Sequence, residues 1–201
     1  MGNGNKAEML IAVCAVITSV VALFVAWDQG RVMRAQQHGS VYPLIQMDGF
    51  VATSPERASI GLRISNSGVG PAIIESVRML KDGKPLDDLN QYRDSLPEKY
   101  DLSWAGLTGR ALAPGAEITP LDISWTREDI TSEQLAAVSS QWGGLVMEIC
   151  YCSVFDRCWR AQDLGTSRAK RVKRCERGET DIFEQLRAAP RLPPAEPSEL
   201  E

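Results

Sequence analysis

The run Met9–Trp27 holds no charge, no proline and no glycine, and only the hydroxyls of Thr18 and Ser19 interrupt its apolar character. Coiled as a helix it would reach roughly 28 Å, close to the ~30 Å hydrocarbon thickness of a bilayer. A helix lying on a soluble core shows a polar stripe every third or fourth position, and none is present here. The pattern predicts a polar tail over 1–8 and a membrane-spanning helix over 9–27, closed by Trp27 where an interfacial aromatic sits. Residues 28–40 contain Arg31 and Arg34, meet no proline and reach Gly39, a residue suited to ending a helix. A juxtamembrane helix or linker is expected there. A cleaved signal peptide fits less well: the leading segment holds only Lys6, the run exceeds the usual 7–15 residues, and no Ala-x-Ala site follows.

From Val41 the period changes to two. Strands are expected over 41–51, with Pro43 at its start or on an edge, over 59–65, where Ile60, Leu62 and Ile64 share one face, and over 73–80. The loop 66–72 carries Gly68 and Gly70, which allow positive φ in a turn, and Pro71, which fixes the re-entry. Asp82-Gly83 between apolar runs predicts a hairpin. A short helix is expected within 86–96, then a turn at Pro114-Gly115 into a strand over 116–125. Thr131 with Gln134 forms a capping-box pattern opening a helix towards Ser140, which Gly143-Gly144 ends. Residues 145–152 read as a strand, 155–157 as a tight turn, and 159 and 171–175 as return strands. The expectation is a mainly β protein, an N-terminal transmembrane helix followed by an antiparallel immunoglobulin-like β-sandwich over 41–177. A tail over 178–201 follows, its Pro- and Glu-rich end disordered.

The formal net charge of −4 excludes a globally basic nucleic-acid binder. Cysteine usage changes the picture more. Of five cysteines, Cys14 lies in the apolar run and the other four are Cys150, Cys152, Cys158 and Cys175. On a strand, Cys150 and Cys152 share one face while Leu145, Met147, Ile149 and Tyr151 take the other. A turn centred on Phe155 sets Cys152 opposite Cys158 and leaves Cys175 to meet Cys150. Three chemistries remain open for the four: disulfides, buried free thiols, or a metal site, although C-x-C-x5-C lacks paired C-x2-C knuckles.

No catalytic constellation assembles. The single histidine, His38, lies at the predicted helix end, and the pairs Asp87-Asp88 and Glu128-Asp129 read as solvated turns or helix starts. Gly68-x-Gly70-Pro71 follows a strand but opens another strand, unlike a dinucleotide-binding loop. Neither an enzyme nor a cofactor is expected. The run Arg168, Lys170, Arg171, Lys173, Arg174, Arg177, broken only by the acidic Glu176, is either a solvated sheet edge or a contact for anionic lipid or nucleic acid. No aromatic residues interleave with it, so nucleic acid is the weaker expectation.

The order of apolar helix, Ser40-Val41-Tyr42-Pro43, Asn66-x-Gly68-x-Gly70-Pro71-Ala72, Pro114-Gly115 and Cys150-Tyr151-Cys152-Ser153-Val154-Phe155-Asp156-x-Cys158-Trp159 resembles a group of uncharacterised bacterial single-pass membrane proteins. The resemblance spans roughly residues 10–175 and implies an anchored β-rich domain, with no activity attached. The leading expectation is a non-enzymatic protein of the cell inner membrane, its domain periplasmic, binding a protein or envelope partner. Two alternatives stand beside it: a thiol- or zinc-based sensor built on Cys150, Cys152, Cys158 and Cys175, and a cytoplasmic adaptor using the basic run.

Overall fold

The computed structural model describes residues 4–162, 165, 169–178 and 181–188. The chain divides after Val41 into two compact units. The first is one helix, α1 (Gly4–Gly39). From Glu8 onward it is long and apolar enough to cross a membrane. Thr18 Oγ1 donates to the Cys14 and Ala15 carbonyls, and Ser19 Oγ donates to the Ala15 carbonyl at 2.7 Å. Both hydroxyls are thus satisfied inside the helix, as apolar surroundings require. Residues 28–39 are a direct continuation of α1, with His38 in the last turn.

The second unit is mainly β. Its elements are β1 (Ile45–Thr53), β2 (Arg57–Asn66), β3 (Ala72–Lys81), β4 (Lys84–Pro85), α2 (Asn90–Asp94), β5 (Asp101–Trp104), β6 (Ala111–Leu112), β7 (Glu117–Thr126), α3 (Ser132–Gly143), β8 (Val146–Cys152), β9 (Cys158–Gln162), β10 (Lys170–Val172) and a 3-10 turn at Glu184–Ala188. All pairing is antiparallel. One sheet has the order β1-β2-β7-β5; the other runs β10-β9-β8-β3-β4, with β6 also against β3.

Alternation builds the core. On β2, Ala58, Ile60, Leu62 and Ile64 are buried, and on β8 Met147, Ile149 and Tyr151 face the same single core. Both sheets contribute to it, with α3 adding Leu135 and Val138. Pro120 lies in β7, a central strand, where a proline would cost a ladder bond. The β2–β7 register shifts between Leu62 and Ile64, a bulge that takes Pro120 out of the pairing.

Local chemistry explains the connections. Asp82 (φ 51°) and Gly83 (φ 76°) both occupy the left-handed region, the hairpin turn whose twist matches its strands, and Lys81 pairs with Lys84. At the start of α3, Thr131 Oγ1 accepts from Gln134 N–H and Gln134 Oε1 from Thr131 N–H, a complete capping box. Thr131→Ala should therefore cost about 1 kcal/mol of stability, read as a lower urea midpoint.

Three expectations need correction. Gly68 does not adopt positive φ. It is glycine because a Cβ there would lie 2.4 Å from both Leu44 N and Tyr42 O, in a loop where Ser67 and Val69 donate to the Leu44 and Tyr42 carbonyls. Strands β5 and β6 form in stretches whose pattern predicts no strand. The domain also does not stop at 177: Ile182, Phe183 and Leu186 enter the core. Asp181, buried, accepts Leu107 N–H at 2.5 Å, Thr108 N–H at 2.8 Å and Phe183 N–H at 2.9 Å. Three hydrogen bonds to one carboxylate fasten this segment down. The end 190–201 lies outside the described residues.

Candidate functional site

Strand alternation on β8 turns Met147, Ile149 and Tyr151 to the core and leaves Cys150 and Cys152 on the opposite face. The β8–β9 register sets Cys152 directly opposite Cys158. The hairpin closes with Ser153 N–H donating to the Arg157 carbonyl at 2.8 Å, and Asp156 takes φ 55° at its tip. Cys152 and Cys158 are joined by a disulfide, with Cα atoms 4.0 Å apart. A second disulfide joins Cys150 to Cys175, Cα atoms 5.7 Å apart. The four half-cystines form their own buried cluster with Val172 beside it. The sulfurs of Cys152, Cys158 and Cys175 all lie within 4.8 Å of one another. That proximity follows from the two bonds. A disulfide sulfur is not a thiolate, so in this oxidised form none of the four is a nucleophile or metal ligand.

The core side of the same hairpin is aromatic. Tyr151 stacks on Trp159 with centroids 5.9 Å apart, and Tyr42 meets the Trp159 ring edge-on at 5.0 Å. Burial pushes the Tyr151 hydroxyl up to about 12, an effect the neighbouring Ile45 backbone opposes only in part. The unfolded side chain ionises near 10. Between pH about 10 and about 12 the unfolded state therefore releases this proton first, and stability falls through that window. An absorbance titration of the folded chain should show Tyr151 ionising only at about pH 12. Tyr151→Phe should remove that late component.

Charge collects on the disulfide side. Lys170, Arg171, Lys173, Arg174 and Arg177 are all exposed, while Arg168 lies outside the described residues. Lys170 and Arg171 sit on β10, the edge of its sheet, where charged side chains discourage pairing with another chain. Lys173, Arg174 and Arg177 line a shallow cleft with Cys152, Cys158 and the acidic Glu75, Asp156 and Glu176. Arg177 Nε reaches Glu75 Oε2 at 3.9 Å. The mixture of signs leaves a solvated charged margin, with far less excess positive charge than the run of letters suggests.

The remaining candidates take structural places. Asp88 Oδ1 accepts Asn90 N–H at the start of α2. Asp129 accepts from the Thr126 hydroxyl and from Lys99 Nζ. Those two bonds hold its carboxyl below the usual range, and Asp129 in turn raises Lys99. His38 belongs to α1, in the other unit.

Sequence reasoning missed Asn66. It is fully buried, and its side chain binds Leu44, Gly68, Gly70 and Leu112. An Asn that opens a Gly-rich loop reads as a turn residue, and nothing local distinguishes a buried one.

A family model described as a domain of unknown function, DUF8453, matches residues 10–147, from within α1 to the first residues of β8. No curated protein matches the chain at a significant level.

Proposed function

We propose, for a chain that belongs to the family of the domain of unknown function DUF8453, the role of a membrane-anchored, non-enzymatic binding module. α1 serves as a single-pass anchor in the inner membrane, and the β domain stands on the periplasmic side. The partner is a protein or another envelope component. The observation that carries the reading is the closure of Cys150, Cys152, Cys158 and Cys175 into two disulfides. Such bonds persist in oxidising compartments and are rare where thiols are kept reduced.

The strand orders add support for an immunoglobulin-like domain. With β1, β2, β3, β5, β7, β8 and β9 taken as the seven strands, the two sheets read first-second-fifth-fourth and seventh-sixth-third. That is the arrangement of constant-type immunoglobulin domains. Here the cysteines differ in place: they staple the outer face of one sheet and do not cross between the two.

The decisive experiment fuses an export-dependent reporter to the C-terminus and alkylates the chain without reductant. An active reporter with only Cys14 alkylated is the expected result. An inactive reporter with all five thiols modified would overturn the reading in favour of a cytoplasmic thiol protein. Crosslinking in intact membranes should then trap a discrete larger species; a chain recovered only as monomer argues against a binding role. Val16→Arg, near the middle of the apolar run, should cost about 3 kcal/mol of insertion. The measurable consequence is chain released by alkaline extraction of membranes.

A further inference from the structure

Most strands that end the two sheets are poor templates for further pairing. β5 holds four residues and β10 three, the latter carrying Lys170 and Arg171. β4 and β6 hold two each, and β4 includes Pro85. Short length, cations and proline are the ordinary means of blunting a sheet edge. β1 has none of them. It spans nine residues, pairs with β2 from Ile45 to Thr53 without a shift in register, and carries Asp48 as its one charge.

Backbone alternation shows which groups of this edge are unmet. At the two ends of β1, Ser67 N–H donates to the Leu44 carbonyl and Ser54 N–H to the Arg57 carbonyl, so the even-numbered residues bond towards β2. The odd-numbered ones point away from it, as the Met47 carbonyl does in accepting Gly165 N–H at 2.8 Å. Residues up to Gln162 belong to β9 of the other sheet, so the chain leading to Gly165 cannot follow β1 as far as Val51. Among the described residues no backbone bond from beyond the β1–β2 ladder reaches Gly49, Val51 or Thr53.

We propose that this edge pairs antiparallel with the same edge of a second copy of the chain, Val51 opposite Val51 on the two-fold axis. In that register Gly49 faces Thr53 of the other copy, and each facing pair exchanges both of its N–H···O bonds. No other register uses all three outward-pointing residues of both copies while leaving Met47 with Gly165. The stretch Gly49–Thr53 bears no charge, so no like charges meet across the seam. The two Asp48 residues fall roughly 20 Å apart along it, beyond the ~8 Å screening length. Side chains complement as well. Val51, 52% exposed, meets its own copy on one face, while on the other the half-buried Phe50 lies opposite the small Ala52, and the reverse. The contact is thus self-complementary and closed, and it covers both long edges at once. It rests on the edge geometry and not on the binding role proposed above.

The test oxidises intact membranes that carry the full chain in a Cys14→Ser background. Val51→Cys should give a covalent dimer, since facing Cα atoms about 5.5 Å apart are within disulfide reach. Asp48→Cys, too far from its copy to be bridged, should crosslink roughly tenfold less. Gly49→Cys combined with Thr53→Cys should also crosslink between copies. Adding Val51→Lys, which sets like charges face to face, should lower that yield roughly tenfold. Val51→Pro, which removes an N–H that the β1–β2 ladder does not use, should do the same. Native disulfides that still resist alkylation show that each variant is folded, and the lysine variant carries the test if the proline variant is not. No covalent dimer from Val51→Cys, equal yields from Val51→Cys and Asp48→Cys, or a yield that both added substitutions leave unchanged would each overturn the proposal. Crosslinking of Val51→Cys to a different protein alone would overturn self-pairing, give the edge to a foreign strand and leave the binding role standing.

Discussion

Asn66→Leu should destabilise the β domain by about 4–6 kcal/mol, enough to unfold a domain of ordinary stability. The side chain is fully buried and uses its entire hydrogen-bonding capacity. Nδ2 donates to the Gly70 carbonyl at 2.8 Å and the Leu112 carbonyl at 2.9 Å, while Oδ1 accepts from Gly68 N–H at 3.0 Å and Leu44 N–H at 3.1 Å. Its backbone continues the pattern, donating to the Ala116 carbonyl and accepting from Gly115 N–H. One residue thereby ties together the entry to β1, the loop after β2, β6 and the Pro114-Gly115 turn. Leucine has nearly the same volume but strands two N–H groups and two carbonyls in the interior, each at about 1–3 kcal/mol before relaxation.

Asn66→Asp separates this cause from simple packing. The carboxylate keeps both acceptor contacts but turns an oxygen towards the Gly70 and Leu112 carbonyls, burying an unpaired charge. Its folded pKa must then rise above the unfolded value near 3.9, so protonation favours the folded form. The deficit of the aspartate variant should shrink as pH falls from 7 to 4, while that of the leucine variant stays constant. Urea midpoints at the two pH values measure both. A leucine variant within about 1 kcal/mol of the native chain would show that the network is dispensable.

What the letters disclosed, and what they hid, follows from the range of the interactions involved. The alternation of Ile60, Leu62 and Ile64, the Asp82-Gly83 turn and the Thr131–Gln134 box are each decided within a few residues, so each is legible. The same holds for Cys152 facing Cys158 across a five-residue turn. β5 and β6 are too short to show a period; they exist because β7 and β3 offer them a partner. Gly68 is required by backbone from Tyr42 and Leu44, far away in sequence. Asp181 and Phe183 precede a Pro- and Glu-rich end whose composition masks them, and only the N–H groups of Leu107 and Thr108 reveal the docking.

The two disulfides should contribute unequally, and the inequality tests what they do. In the chain-entropy account a crosslink stabilises by restricting the unfolded chain, more so for a longer loop. Cys150–Cys175 spans 25 residues and Cys152–Cys158 spans 6. The corresponding losses on replacing each pair by alanine are about 3.5 and about 2.2 kcal/mol. Because the short loop lies inside the long one, closing it shortens the outer path, which reduces the outer contribution by only about 0.2 kcal/mol. The losses should therefore nearly add, and reduction of the native chain should approach the sum. Denaturation of the full chain in nanodiscs, followed by near-ultraviolet circular dichroism, reads all three. A larger loss for the short loop would mean that the hairpin staple acts through native packing against Val172 and not through the unfolded state. The outer bond has a further consequence. It is the covalent tie on Cys175, next to Arg174 and Arg177 and just ahead of the Asp181–Leu186 docking segment, so its loss should increase amide exchange at Phe183 and Leu186. Loss of the inner bond should leave those amides protected, because the hairpin it closes ends before β10 begins.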